Sequence, residues 1–177
     1  MSYAVAIEAY DPLWPQKFAV EAPLIRQAMG EVVVDVQHIG STSVPGLAAK
    51  PVIDILVGVS GPLEMSAAQI EAMAAIGYEY RGDAGVEGRL FLRKGGANRS
   101  HHCHVVRYGD QVWRGHLLFR DYLRAHPTDR EVYAALKQEL AVQYSAAEQR
   151  AVYTESKAPF IQGVLERTRA WDRAGRS

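Results

Sequence analysis

The chain carries one cysteine, Cys103, in 177 residues. A single thiol cannot close an internal disulfide or build a cysteine zinc cage, and its rarity fits a reducing compartment. There is no excess of charge of either sign: 20 basic and 20 acidic side chains give a formal net charge of zero. No whole-molecule field draws such a chain to nucleic acid or to a membrane, although a local basic groove is still allowed. No apolar run approaches the ~18–20 residues of a spanning helix, and the first eight residues lack a basic region followed by an apolar stretch. The expectation is a soluble, cytoplasmic protein without membrane partners, with nucleic acid disfavoured. Internal repeats, low-complexity tracts and obvious linkers are also lacking.

What is present suffices for a core. Hydrophobic residues make up 48% of the chain, which speaks against disorder. The length fits one domain over 1–177, with a sheet core over about 1–110 and a helical section over about 111–177.

Local patterns divide the chain. Asp11-Pro-Leu-Trp-Pro15 opens a first helix, with Phe18, Ala22, Ile25 and Met29 at helical spacing and Gly30 as its stop. Pro23 lies inside that pattern and predicts a kink or a split. Val32 to Ile39 reads as a β-branched strand, and Pro51 to Val59 as a strand covered on both faces. Leu63 to Ile76 reads as a helix with Leu63, Ala67, Ile70 and Ala74 on one stripe and Gly77 as its cap. Tyr78–Arg81, Arg89–Lys94 and His101–Tyr108 are β-like, with glycines between them. A helix from Trp113 to Ala125 ends before Pro127. Thr128-Asp-Arg-Glu131 and Ser145-Ala-Ala-Glu148 are capping-box patterns. Phe160, Val164, Thr168 and Trp171 share a face of a last helix, and Arg167 to Ser177 reads as a fraying tail. The fold class expected is α+β: a small mixed β-sheet covered by helices, with a helical C-terminal section.

Chemistry concentrates in His38-Ile-Gly-Ser-Thr-Ser-Val-Pro-Gly46, followed by Lys50-Pro-Val-Ile-Asp-Ile-Leu-Val-Gly58. A small-residue turn between two strands offers N–H groups and hydroxyls suited to phosphate. Asp54 stands inside an apolar strand, where an unpaired carboxylate is costly, so it needs a partner such as a cation. His102 and His104, two apart on a strand, point to one side, and His101 and Cys103 to the other.

Gly40-Ser41 followed by a strand carboxylate resembles the nucleotidyltransferase superfamily, the DNA polymerase β-like fold. The combination of Tyr10-Asp-Pro-Leu-Trp-Pro15, His38 to Leu47, Lys50 to Ile55, His101 to Val106, Phe119 to Arg124 and Tyr153 to Lys157 is similar to the GrpB family over nearly the whole chain. That resemblance implies a nucleotidyltransferase-like fold, a triphosphate positioned by the Gly-Ser turn, and strand carboxylates holding magnesium. Its substrate and reaction are poorly defined, and similar domains occur fused to dephospho-CoA kinase. This chain departs from an Asp-x-Asp pair: positions 52 and 56 are Val52 and Leu56.

The candidate site follows. Asp54 and Lys50 are the candidate catalytic residues, Lys50 as a point charge for phosphate. Gly40, Ser41, Thr42, Ser43 and Arg93 are candidate phosphate contacts. Asp54, His102 and His104 are candidate ligands of a divalent metal: magnesium or manganese, or zinc if the imidazoles ligate. Each has a plainer alternative: a structural acid, turn-capping hydroxyls, a solvated lysine, strand histidines. His38 suits a substrate contact or a satisfied structural histidine, and Cys103 a small core residue. Tyr153 and Lys157 match a dehydrogenase spacing, but no Gly-x-Gly-x-x-Gly turn follows the first strand. The function expected is a metal-dependent, nucleotidyltransferase-like protein that takes a nucleotide or another phosphate-bearing small molecule, its acceptor open. The alternatives are a catalytically degenerate nucleotide, coenzyme or partner-binding module, and, less favoured, a histidine metal hydrolase.

Overall fold

The computed structural model describes residues 6–144 and 150–175. Helix α1 (Trp14–Met29) leads through a short 3-10 turn into strand β1 (Val33–Ile39). A second 3-10 turn, Ser41–Ser43, precedes β2 (Ile53–Val59). Then come α2 (Ala67–Ala75), β3 (Tyr78–Tyr80), β4 (Leu90–Lys94) and β5 (His101–Arg107). Among the described residues, four helices follow: α3 (Gln111–Ala125), α4 (Pro127–Gln143), α5 (Arg150–Ser156) and α6 (Ala158–Arg173).

The strands form one mixed sheet in the order β1-β2-β5-β4-β3. Only the β2–β5 pair is parallel. A parallel neighbour needs a long crossover, and α2, β3 and β4 supply it.

Alternation along the strands separates two packed faces. On one, Ile53, Ile55, Val57, Leu92, Cys103 and Val105 bury against Trp14, Ile25 and Met29 of α1 and Met73 of α2. On the other, Ile39, Leu56 and Val106 meet Trp113 of α3. Gly58 makes that second contact possible, since a Cβ there would lie 2.8 Å from the Trp113 ring. A further cluster joins Val44 and Leu47 of the turn region to Tyr122 and Leu123 of α3, Tyr133 of α4 and Val164 of α6.

Several local expectations shift. Helix α1 runs through Pro23 without a split. Helix α2 starts at Ala67, because Ser66 and Gln69 exchange hydrogen bonds of 2.9 and 3.2 Å in a capping box. Leu63 packs against the core ahead of that helix, and Met73 is its buried residue, while Ala67 and Ala74 are exposed. Helix α4 begins at Pro127, whose fixed φ suits the first turn, so Thr128 lies inside the helix and caps nothing. The Ser145–Glu148 pattern lies outside the described residues. The tail expected from Arg167 is helical to Arg173, held by the fully buried Thr168 and by Trp171 against Tyr122 and His126. Among the described residues, no helix is long and apolar enough to cross a membrane.

Candidate functional site

The turn after β1 is fixed from several sides. Gly40 has φ +69°, and a Cβ there would sit 2.5 Å from Asp54 Oδ2. Glycine thus lets the turn lie directly on the carboxylate. Ser43 Oγ donates to the Gly40 carbonyl at 2.6 Å, and the Ser43 carbonyl accepts from Arg124 Nε and Nη2 at 3.0 and 2.7 Å. Thr42 is buried, with its hydroxyl 2.9 Å from His38 Nε2. Of the three turn hydroxyls, only that of Ser41 belongs to a half-exposed residue.

His38 is buried and stacks on Phe18, and that burial brings its pKa down to about 4 against the pull of Asp54.

Asp54 is the second residue of β2, with a side chain 28% exposed. The parallel register sets Asp54 beside His102 and Leu56 beside His104. Both imidazoles therefore reach the same carboxylate oxygen: His102 Nδ1 lies 3.2 Å and His104 Nε2 3.4 Å from Asp54 Oδ1. Burial works to raise the Asp54 pKa, but the two histidine hydrogen bonds outweigh it and hold the carboxyl well below the usual carboxylate range. An ionised carboxylate only accepts, so both ring nitrogens donate to it. Arg89 Nη1 stands 3.5 Å from the other His104 nitrogen. A guanidinium only donates, which leaves the His104 hydrogen on Nε2, toward Asp54. Phe91 lies against both histidine rings at 5.3 Å between centroids. His116 of α3 lies 5.7 Å from the His104 ring, and burial lowers its pKa to about 4.

The sequence-predicted trio thus meets, but as hydrogen-bonded partners. Among the described residues, no group of three or more His, Cys, Asp and Glu side chains forms a ready metal-holding cluster. Shared ligation with Asp54 through the nitrogens that face it would require each imidazole to give up the hydrogen it offers the carboxylate, and Arg89 faces the other nitrogen of His104. Asp54 itself, ionised and part-exposed, fits a hard cation that takes its other ligands from phosphate or water.

Lysines approach the turn from the helices. Lys137 of α4 is 3% exposed. Its ammonium donates to Ser41 Oγ at 2.9 Å and to the Ala48 carbonyl. Burial, helped by nearby Lys157, lowers its pKa to about 7. The ring of Tyr133, one turn earlier, lies 4.7 Å from the Lys137 ammonium. Lys50 and Lys157 both rest on the Tyr153 ring, at 4.2 and 4.7 Å. Burial lowers the Lys157 pKa, and Asp54 partly restores it.

Arg93 goes elsewhere. Its guanidinium forms a two-pronged pair with Glu79 on β3 at 2.6 and 3.1 Å, as the Glu79–Arg93 register requires. That pair engages the guanidinium expected at a phosphate. Sequence reasoning passed over Lys137, Tyr133 and His116. For Lys137 a signal existed: it lies on the same stripe as Tyr133, Leu136 and Leu140, so its helix buries it.

The five-stranded mixed sheet with flanking helices makes an α+β fold. A solved structure of the Cid1 poly(U) polymerase shares the fold, with a TM-score of 0.52 at 14% identity over 79% of this chain and 46% of that one. The family model described as GrpB protein matches residues 4–167, and the chain belongs to the GrpB family. The crystal structure of the conserved protein GrpB from Enterococcus faecalis superposes with a TM-score of 0.82 at 38% identity, covering 92% of this chain and 96% of that one. The UPF0157 protein YqkA of Bacillus subtilis is 38% identical over 167 residues, which is 94% of this chain. The chain spans 48% of that relative's length.

Proposed function

We propose that the chain is a nucleotide-dependent transferase of the nucleotidyltransferase type, with a phosphate site at the Gly40–Gly46 turn. The observation that carries this reading is a charge arrangement. One ionised carboxylate, Asp54, lies under Gly40, the buried ammonium of Lys137 reaches Ser41 of the same turn, and Lys157 stands near enough to interact with both Lys137 and Asp54. Buried or half-buried cations without carboxylate partners are costly to keep, and phosphate oxygens would offset that cost. Among the described residues, neither Lys137 nor Lys157 pairs with an acid at ion-pair distance.

The residues take distinct roles. Ser41 meets a phosphate oxygen, and Lys50 and Lys157 neutralise phosphate charge. Asp54 would hold a divalent ion, magnesium or manganese, which would supply charge neutralisation on the phosphates. His102 and His104 keep the carboxylate ionised and oriented, a supporting role that their hydrogen bonds already perform. The solved Cid1 structure at TM-score 0.52 is described as bound to MgATP, which agrees with a nucleotide for this fold.

A second reading has one observation in its favour. Leu56, where a second strand carboxylate would stand, is fully buried against Ile39, Val106 and Trp113. A nucleotide or coenzyme-binding module without turnover would keep the turn and lose that acid. A thermal-shift panel of the four ribonucleoside triphosphates and CoA, each with magnesium, manganese or zinc, tests both readings. A ligand at ~100 times its dissociation constant adds about 2.7 kcal/mol. The transferase reading expects metal-dependent stabilisation that Asp54→Asn abolishes, with nucleotide turnover. Stabilisation without turnover selects the binding module, and no shift with any nucleotide overturns both.

A further inference from the structure

We propose that Ser41 is a phosphoryl acceptor, with Lys137 receiving its proton, so that the terminal phosphoryl group of a bound nucleoside triphosphate passes to the chain itself. This rests on the phosphate site proposed above and adds the acceptor.

The turn holds hydroxyls at positions 41, 42 and 43, and two of them are occupied inside it: Thr42 with His38 and Ser43 with the Gly40 carbonyl. Ser41 is left half-exposed, and its oxygen lies 2.9 Å from an amine that is itself 3% exposed. The Ala48 carbonyl, which only accepts, takes one Lys137 N–H and fixes the direction of the nitrogen. In the neutral amine, the remaining lone pair is available to the Ser41 hydroxyl proton.

The surroundings favour the neutral amine. The titratable groups about the pair are Tyr133 on α4, Tyr153 on α5, Lys157 at the start of α6, Lys50 ahead of β2 and Asp54 beyond Gly40. Lys157 repels a second charge, and Asp54 is tied to two histidines. Burial and that repulsion bring Lys137 to about 7, where a base is effective near neutral pH.

The step balances within the site. The Ser41 Oγ–phosphorus bond forms as the bond between the terminal phosphorus and its bridging oxygen breaks. The serine proton goes to Lys137 Nζ. The nucleoside diphosphate leaves with the bond's electron pair on its terminal oxygen. The products are phosphoserine at position 41 and a nucleoside diphosphate.

The test is incubation of the intact chain with magnesium or manganese and each ribonucleoside triphosphate, labelled at either the γ or the α phosphate. Peptide mass spectrometry then locates the label, and calorimetry follows binding of the non-hydrolysable β,γ-imido analogues. The expected result is γ-label on Ser41, no α-label, and no label in Ser41→Ala. Lys137→Arg keeps a cation but cannot lose its proton, so its labelling should fall by roughly a hundredfold while analogue binding persists. Wild-type labelling should rise with pH through about 7, because the neutral amine is the competent form. A lysine acting only as a phosphate cation would show the opposite slope and would tolerate arginine, and either result overturns the proposal. So does analogue binding with no label on Ser41, with label elsewhere, or with α-label on Ser41; each leaves the phosphate site standing. Absence of both binding and label overturns the phosphate site and this inference together.

Discussion

Asp54 concentrates the chemistry at the scale of a single residue. Its carboxyl is more acidic in the folded chain than in the unfolded one, because the His102 and His104 hydrogen bonds outweigh its burial. A depressed carboxyl stabilises the fold above its unfolded pKa and loses that contribution as pH falls toward its folded value. The gap in melting temperature between wild type and Asp54→Asn should therefore be full above about pH 5 and narrow below about pH 4, near the unfolded carboxyl pKa. Melting curves of both proteins across that range check it; a gap that stays constant into acid would contradict the depressed pKa. Cations near the turn separate in the same way. Lys157 rests on Tyr153 and feels Asp54, whereas Arg93 is committed to Glu79. Lys157→Met is expected to weaken nucleotide binding by about tenfold, the effect of removing ~1.4 kcal/mol of charge interaction, and Arg93→Ala to leave it unchanged. Calorimetric titration of the two variants decides between these assignments.

At the scale of the element, the Gly40–Gly46 turn is a rigid device. Its first residue has φ +69°, and the space where a side chain would begin is filled by Asp54 Oδ2. Gly40→Ala should destabilise the chain by about 1–3 kcal/mol through backbone strain, and should displace the carboxylate as well. Urea unfolding gives the first quantity, and loss of metal-dependent nucleotide binding reports the second. The pairing of β2 with β5 matters equally. The i, i+2 spacing of His102 and His104 is plain in the sequence, and alternation puts both on one face. Which strand lies beside that face is not in the spacing. The parallel register, Asp54 opposite His102, brings the trio together.

Across the whole molecule, the helical section brings Lys137 to the Gly40–Gly46 turn. Lys137 of α4 reaches Ser41 of a turn that the sheet holds, and Lys157, ahead of α6, lies near enough to repel its charge. The joint between the two parts is the cluster of Val44 and Leu47 with Tyr122, Leu123, Tyr133 and Val164. Leu123 is 1% exposed there. Leu123→Ala should cost about 2–5 kcal/mol in chemical denaturation, by lost burial and the cavity left behind. Because that cavity opens beneath the turn, nucleotide binding should weaken as well, and calorimetry on the folded variant measures it. Unchanged binding would mean that the sheet alone sets the turn.

Local pattern was enough to mark the strands, most of the helices, the Gly-Ser turn and the isolated strand carboxylate, because each depends on neighbours within a few residues. It also showed that His102 and His104 share a face. Tertiary structure decided what those side chains meet. It set Asp54 in hydrogen-bonding reach of both histidines, drew Arg93 away to Glu79, and buried Lys137 with its amine 2.9 Å from Ser41. Periodicity says which way a side chain points from its own strand or helix. The group it points at is supplied by an element tens of residues away, and only packing brings the two together.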